Sequence, residues 1–282
     1  MLTLLEIVRR TTDYFAKHGI ESSRLNAELV VAHALGLGRM QLYLQFERPL
    51  GDAQLEGIRS LVRRRGRREP LAYVLGTAAF CDLTLAVDKR VLVPRSETEQ
   101  LVELIKDSLS VPPARIIDLG TGSGALALAL ASLFPEAEVL AVDASEDALN
   151  VARTNAERGG LAARVELRKS NWFSGCADSD RFDVVVSNPP YLTEAEWASA
   201  QPEVREHEPR EALVASDDGC ADLLSIIGAA PRWLSRGGML FLETGIDQHP
   251  RLLAAMAAAG LREACSHRDW SGRDRFVSAR AE

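Results

Sequence analysis

The sequence predicts an α/β fold: a mostly parallel sheet covered on both faces and ending in an antiparallel hairpin, preceded by a small helical bundle. Three observations predict it. Apolar residues recur at helical spacing near the N-terminus, short apolar runs alternate with helical stretches from Arg115 onward, and a glycine-rich turn follows the first of those runs. With 282 residues, 46% of them hydrophobic and 26% charged, the chain has material for two cores.

In the first region the apolar positions are Leu4, Leu5, Val8 and Phe15, then Leu25, Leu29, Val30 and Leu35, then Leu55, Ile58, Leu61 and Val62. That spacing predicts amphipathic helices packed as a bundle over residues 1–75. Gly19, Gly36 and Gly38 stand where C-terminal caps belong, and Pro70 stops an arginine-rich helix. The run Arg63-Arg64-Arg65-Gly66-Arg67-Arg68 reads as a solvated helix end near the C-terminal dipole, with an RNA or ribosome contact as the alternative.

Over residues 76–94 the pattern turns to alternation, with Phe80, Leu83, Leu85, Val87, Val91 and Val93 around Asp88-Lys89, which predicts a β-hairpin linker. Ser96-Glu97-Thr98-Glu99 reads as a capping box opening an amphipathic helix with Leu101, Leu104, Ile105 and Leu109. This helix begins the third region, 95–282. Strands are expected at 115–119, 139–142, 165–169, 182–187 and 239–243, and helices at 124–133, 145–158, 222–234 and 250–259. Residues 261–281 supply the closing hairpin.

The bulk properties exclude several classes. A net charge of −7 does not favour broad attraction to nucleic-acid phosphate. The four cysteines, Cys81, Cys176, Cys220 and Cys265, and the five histidines show no metal-ligand spacing, so no metal is expected. There is no secretory signal pattern and no segment near the ~18 uninterrupted apolar residues that span a bilayer, so a cytoplasmic protein is expected.

Asp118-Leu119-Gly120-Thr121-Gly122-Ser123-Gly124 ends the first strand of the series and opens a helix. Glycines there allow a tight turn and close approach of the backbone to an adenosine-bearing cofactor. Asp143, ending the second strand, is placed to accept both ribose hydroxyl protons. Asn171 and Trp172 follow the third strand, where a ring could cover an adenine face; core packing is the other reading of Trp172. The glycines also satisfy a loose dinucleotide pattern, and Asp118 together with the fourth strand favours S-adenosylmethionine over NAD.

That fourth strand runs into Asn188-Pro189-Pro190-Tyr191. Two prolines stiffen the backbone and remove two amide donors, leaving carbonyls beside the Asn188 side-chain oxygen. Such an acceptor cluster suits a planar NH₂ group aimed at a methyl carbon. An ordinary turn is the bland alternative. Asn188, Pro189, Pro190 and Tyr191 are therefore the candidate catalytic and substrate-binding residues. Asp118, Gly120, Thr121, Gly122, Ser123, Gly124, Asp143, Asn171, Trp172 and Asn188 are the candidate cofactor-binding set.

These motifs, with Arg68-Glu69-Pro70-Leu71-Ala72-Tyr73, Val91-Leu92-Val93-Pro94-Arg95-Ser96-Glu97-Thr98-Glu99, Glu208-Pro209 and Asp269-Trp270-Ser271-Gly272-Arg273-Asp274-Arg275, resemble those of the peptide chain release factor N(5)-glutamine methyltransferases, the PrmC/HemK family. The resemblance covers nearly the whole chain and departs from the usual pattern at Ser96 and at Ser216-Asp217-Asp218-Gly219-Cys220. It implies a Rossmann-like S-adenosylmethionine-dependent methyltransferase domain and an N-terminal helical domain that helps grip the substrate. It also implies methyl transfer to the glutamine of the Gly-Gly-Gln loop in class 1 release factors, with S-adenosylhomocysteine as co-product. A monomer with no direct nucleic-acid or membrane partner is expected. The alternatives are glutamine methylation of a ribosomal large-subunit protein, methylation of an adenine amino group, and a non-catalytic module that binds release factor or ribosome.

Overall fold

A computed structural model describes residues 2–282, which divide into two compact units. One unit runs to Thr77 and also takes in Gln201–His207; the other comprises Ala78–Ala200 and Glu208–Glu282.

The first unit contains α1 (Leu4–Lys17), α2 (Ser23–Ala34), α3 (Arg39–Leu44), α4 (Asp52–Gly66), α5 (Leu71–Leu75) and the short helix Pro202–His207, which is α10 in chain order. α1 begins with a reciprocal cap: the Thr3 N–H donates to Glu6 Oε2 at 2.8 Å and the Glu6 N–H to Thr3 Oγ1 at 3.3 Å. Its Leu4, Val8, Thr11 and Phe15 form one buried stripe. Gly38 departs from the expected role. It is the N-cap of α3, because its backbone is extended and its N–H donates to Gln41 Oε1.

The arginine run is not a uniformly solvated helix end. Arg65 is buried and donates to Asn26 Oδ1, the Glu69 carbonyl and Glu203 Oε1, while Arg64 forks onto Glu69 and Arg68 reaches the Gly19 carbonyl and Glu203. Arg63, Arg64 and Arg65 do stand in the last turn of α4, near its C-terminal dipole, but the guanidiniums of Arg64, Arg65 and Arg68 are taken up by acceptors inside the unit rather than by solvent.

From the unit boundary at Thr77 onward, β1 (Thr77–Phe80) and β2 (Leu83–Ala86) form a two-stranded sheet. α6 (Ser96–Ser108) follows, but its N-cap is Arg95 and no side-chain cap bond forms. Glu99 is diverted: its carboxylate accepts the Cys81 backbone N–H at 2.6 Å, tying α6 to the β1–β2 turn instead of to its own first residue.

The main sheet holds β3 (Arg115–Leu119), β4 (Glu138–Asp143), β5 (Val165–Lys169), β6 (Phe182–Ser187), β7 (Leu234–Glu243), β8 (Arg262–Arg268) and β9 (Asp274–Arg280), in the order β5-β4-β3-β6-β7-β9-β8. The first five are parallel, and β9 joins β7 and β8 antiparallel. α7 (Ala125–Leu133), α8 (Glu146–Arg158), α9 (Glu194–Ser199), α11 (Ala221–Trp233) and α12 (His249–Ala258) complete the unit.

Inner strands bury both faces, so they read as unbroken apolar runs. Ile116, Val139, Ala141, Val184 and Val186 enter one core, and Ile117, Leu119, Leu140, Val142 and Val185 the other. β3 lies between β4 and β6, so the order of strands reverses there and opens a crevice at their carboxyl ends.

Candidate functional site

That crevice is a cavity of about 270 Å³ lined only by residues of the second unit. The turn after β3 is folded by backbone bonds: the Gly120 and Thr121 N–H groups both donate to the Val142 carbonyl at 2.9 Å, and Gly124 donates to Thr121 at 2.8 Å. Thr121 Oγ1 donates to Asp118 Oδ2 at 2.6 Å, and the Ala127 N–H donates to the same oxygen at 3.2 Å. Asp118 Oδ1 is buried with no partner. Burial pushes the Asp118 carboxyl up to about 7 against those two hydrogen bonds, with the nearby Asp143 adding to the rise.

Asp143 ends β4. Its Oδ2 accepts the Gly122 N–H and its Oδ1 the Ser145 N–H, each at 2.9 Å, while burial raises its pKa. Trp172 holds a left-handed backbone (φ 48°), and a Cβ added to Gly120 would lie 3.3 Å from its ring. Gly120 is favoured by its own left-handed backbone (φ 73°), and a side chain there would also press on the Trp172 ring. Asp222 is also in the crevice wall, a carboxylate raised by burial although Trp172 opposes the rise.

β6 delivers the second half. Ser187 Oγ donates to the Leu119 carbonyl at 2.6 Å, pinning the ends of β6 and β3 together. Asn188 follows, its Nδ2 donating to Thr98 Oγ1 at 3.1 Å; the Thr98 hydroxyl donates to Glu243 Oε2 at 2.7 Å, and Tyr191 OH to Glu243 Oε1 at 3.1 Å.

Of the residues expected from sequence, Asp118, Gly120, Thr121, Gly122, Ser123, Asp143, Asn171, Trp172, Asn188, Pro189 and Pro190 all line the crevice. Two do not. Gly124 is the N-cap of α7, packed on Leu128 and Ala152. Tyr191 is outside the crevice lining, its hydroxyl donating to Glu243 and its ring beside the Arg275 guanidinium. Sequence reasoning missed Leu92, Arg95, Thr98 and Asp222 in the wall, and Glu243 behind it. Arg95 is held by Glu208 at 2.5 Å; burial raises that carboxyl although Arg95 opposes the rise.

Residues 6–76 match the PrmC N-terminal domain family, and residues 96–204 the methyltransferase small domain family. The release factor glutamine methyltransferase of Geobacter sulfurreducens is 42% identical over 280 residues, spanning 99% of this chain and 96% of its own. That of Escherichia coli is 39% identical over 260 residues, spanning 92% and 93%. A solved methyltransferase from Pyrococcus furiosus shares the fold, with a TM-score of 0.56 at 19% identity over 77% of this chain and 98% of that one.

Proposed function

We infer the reaction from one premise: this chain belongs to the release factor glutamine methyltransferase family. It is a protein-glutamine N-methyltransferase acting on a release factor. The methyl donor is S-adenosylmethionine, and the target is the glutamine of the Gly-Gly-Gln loop in class 1 factors. The helical unit built on residues up to Thr77 helps grip the factor, and residues from Ala78 carry the catalytic crevice.

The residues present fit this donor. Asp118 Oδ1, a buried acceptor without a partner, suits the ammonium of the methionine part. A Cβ at Gly122 would meet nothing within 4 Å, so the turn leaves open space above a backbone that a ligand can approach. Asp143 keeps lone pairs for ribose hydroxyls, and the Trp172 ring offers a flat apolar face. When bound, S-adenosylmethionine supplies an electrophilic methyl carbon on a sulfonium.

The protein's part is alignment. A glutamine NH₂ is a poor nucleophile because its lone pair is delocalised, as the ~18–20 kcal/mol rotation barrier of an amide records. Two hydrogen bonds worth about 1 kcal/mol each do not overcome that. Holding the nitrogen in line within a dry cleft contributes roughly 7–11 kcal/mol. Asn188 Oδ1 and the Pro189 carbonyl accept the two N–H hydrogens, presenting the nitrogen to the methyl carbon. With the donor in place, the glutamine nitrogen would gain the methyl group and give up one of the N–H protons held by Asn188 Oδ1 and the Pro189 carbonyl, which would pass to solvent as the product leaves, so no dedicated base is needed.

The observation that carries this reading is the placement of Asn188, Pro189 and Pro190 in one crevice with Asp118 and Asp143. The test is transfer of labelled methyl from S-adenosylmethionine to purified release factor, with a Gln→Glu factor, ribosomal protein and DNA beside it and mass mapping of the product. Label confined to the loop glutamine is expected, as is a fall of about 100-fold or more in Asn188→Ala. Near wild-type transfer in Asn188→Ala would remove Asn188 from the site.

A further inference from the structure

We propose that Thr98 and Glu243 are positioning residues that set which face of the Asn188 amide looks into the crevice. The inference rests on the reading of Asn188 as an acceptor for the substrate NH₂. An asparagine side chain has two nearly isosteric ends: an oxygen that accepts and an NH₂ that only donates. Turned with its NH₂ outward, Asn188 would meet the glutamine NH₂ donor to donor, and the crevice would repel the group it must hold. Something has to choose between the two orientations.

The choice is made by a chain of protons with one consistent direction. Glu243 lies on β7, 1% exposed, and receives hydroxyl protons on both carboxylate oxygens, from Thr98 on one and Tyr191 on the other. Arg275 stands behind Tyr191, with its guanidinium 5.9 Å from the ring centroid and Nη1 3.5 Å from the phenol oxygen, and its charge favours the ionised carboxylate against the burial that pushes Glu243 up. Since the single Thr98 proton is committed to Glu243, Thr98 Oγ1 is left purely as an acceptor toward Asn188. Only the NH₂ end of Asn188 can satisfy it. Asn188 Oδ1 is thereby turned the other way, toward the crevice that both Asn188 and Thr98 line. The same carboxylate draws the Tyr191 hydroxyl inward, which gives Tyr191 a supporting role in place of contact with substrate.

Thr98 is the informative position because valine matches its shape and lacks the acceptor. Thr98→Val is expected to lower kcat about tenfold or more, the cost of an unpaired buried donor together with a misoriented amide. Its cofactor Kd should move far less than kcat, since Asn188 is the one member of the cofactor set that the substitution touches. Thr98→Ser, which keeps the hydroxyl, is expected to retain near wild-type kcat. A readout independent of turnover is hydrogen exchange at the Asn188 side-chain NH₂, identified in ¹⁵N spectra as the pair lost in Asn188→Ala; it should quicken in Thr98→Val and stay slow in Thr98→Ser. A Thr98→Val enzyme with unchanged kcat and exchange overturns the proposal. So does a Thr98→Ser enzyme as impaired as Thr98→Val, which would make Thr98 a packing residue. Full activity in Asn188→Ala would instead sink the acceptor reading on which the proposal rests, so the two failures are distinguishable.

Discussion

Asp118 shows how one side chain can report on the site. Its folded pKa of about 7 lies above the ordinary 3.8, because burial disfavours the charged form more than Thr121 and Ala127 stabilise it. Between those two values the folded chain binds more protons than the unfolded one, so the stability of the ligand-free protein falls as pH rises through that window. A cation against Oδ1 reverses the preference. Cofactor binding near neutrality is therefore expected to expel a proton, and its affinity to weaken by up to about tenfold per pH unit below about 7. Calorimetry in two buffers of different ionisation enthalpy reads the proton count; no release would show that no cation reaches Asp118. Asp118 was legible in the sequence because it precedes a glycine-rich turn at the end of an apolar run, and Asp143 because it ends the next strand nineteen residues after Gly124. Thr98 and Glu243 were not, since 145 positions separate the hydrogen-bonded pair and each alone has a bland reading.

Elements carry the site through bonds that no spacing announces. Asn155 on α8 is 2% exposed and fully satisfied: Nδ2 donates to the Ala86 carbonyl at 3.0 Å and to the Ser123 carbonyl at 2.8 Å, while Oδ1 accepts the Ala86 N–H at 2.7 Å. It ties β2, α8 and the glycine-rich turn together. Asn155→Ala removes three bonds of about 1 kcal/mol each, so a fall of roughly 6–12 °C in Tm is expected by scanning calorimetry. A change under about 2 °C would show that the turn holds without it. The turn behind Tyr191 is tighter still. Asp217, Asp218 and Gly219 all have positive φ, and a Cβ on Gly219 would lie 2.2 Å from the Tyr191 carbonyl oxygen. Gly219→Ala must displace the loop that carries Pro189 and Pro190, so kcat should fall by about tenfold or more while cofactor affinity holds. Unchanged turnover would mean the loop tolerates the shift. Long periodic helices and buried strands were legible because burial imposes their patterns. α9 and α10, six residues each and with nothing fully buried, leave no such imprint, and α9 is set by a Thr193–Glu196 cap.

At the scale of the whole molecule the backbone crosses between the two units three times, because Gln201–His207 belongs with the helical unit although residues of the other unit flank it in sequence. The segment is held by Glu203, which accepts from Arg65 Nη1 at 2.9 Å and from Arg68 Nη2 at 2.6 Å. Burial alone would raise the Glu203 carboxyl, but hydrogen bonds from Arg68 and Arg65 outweigh it and hold the pKa below its ordinary value. A depressed value contributes stability that is present above the unfolded pKa and lost as pH falls through the folded one, so acid should loosen this unit. Cutting away residues up to Thr77 would strip Glu203 of both partners, which makes a point substitution the cleaner probe of what the unit does. Glu203→Ala leaves Arg65, only 8% exposed, without its counter-ion, at a cost of about 3 kcal/mol. Hydrogen exchange should quicken across α2 and α4 and stay unchanged in the main sheet. If this unit grips the release factor, KM for the factor rises several-fold in Glu203→Ala. The Kd for S-adenosylmethionine does not move, because every residue lining the crevice belongs to the other unit. An unchanged KM, with exchange in α2 and α4 already quickened, would mean that the factor is recognised by the crevice and its rim alone.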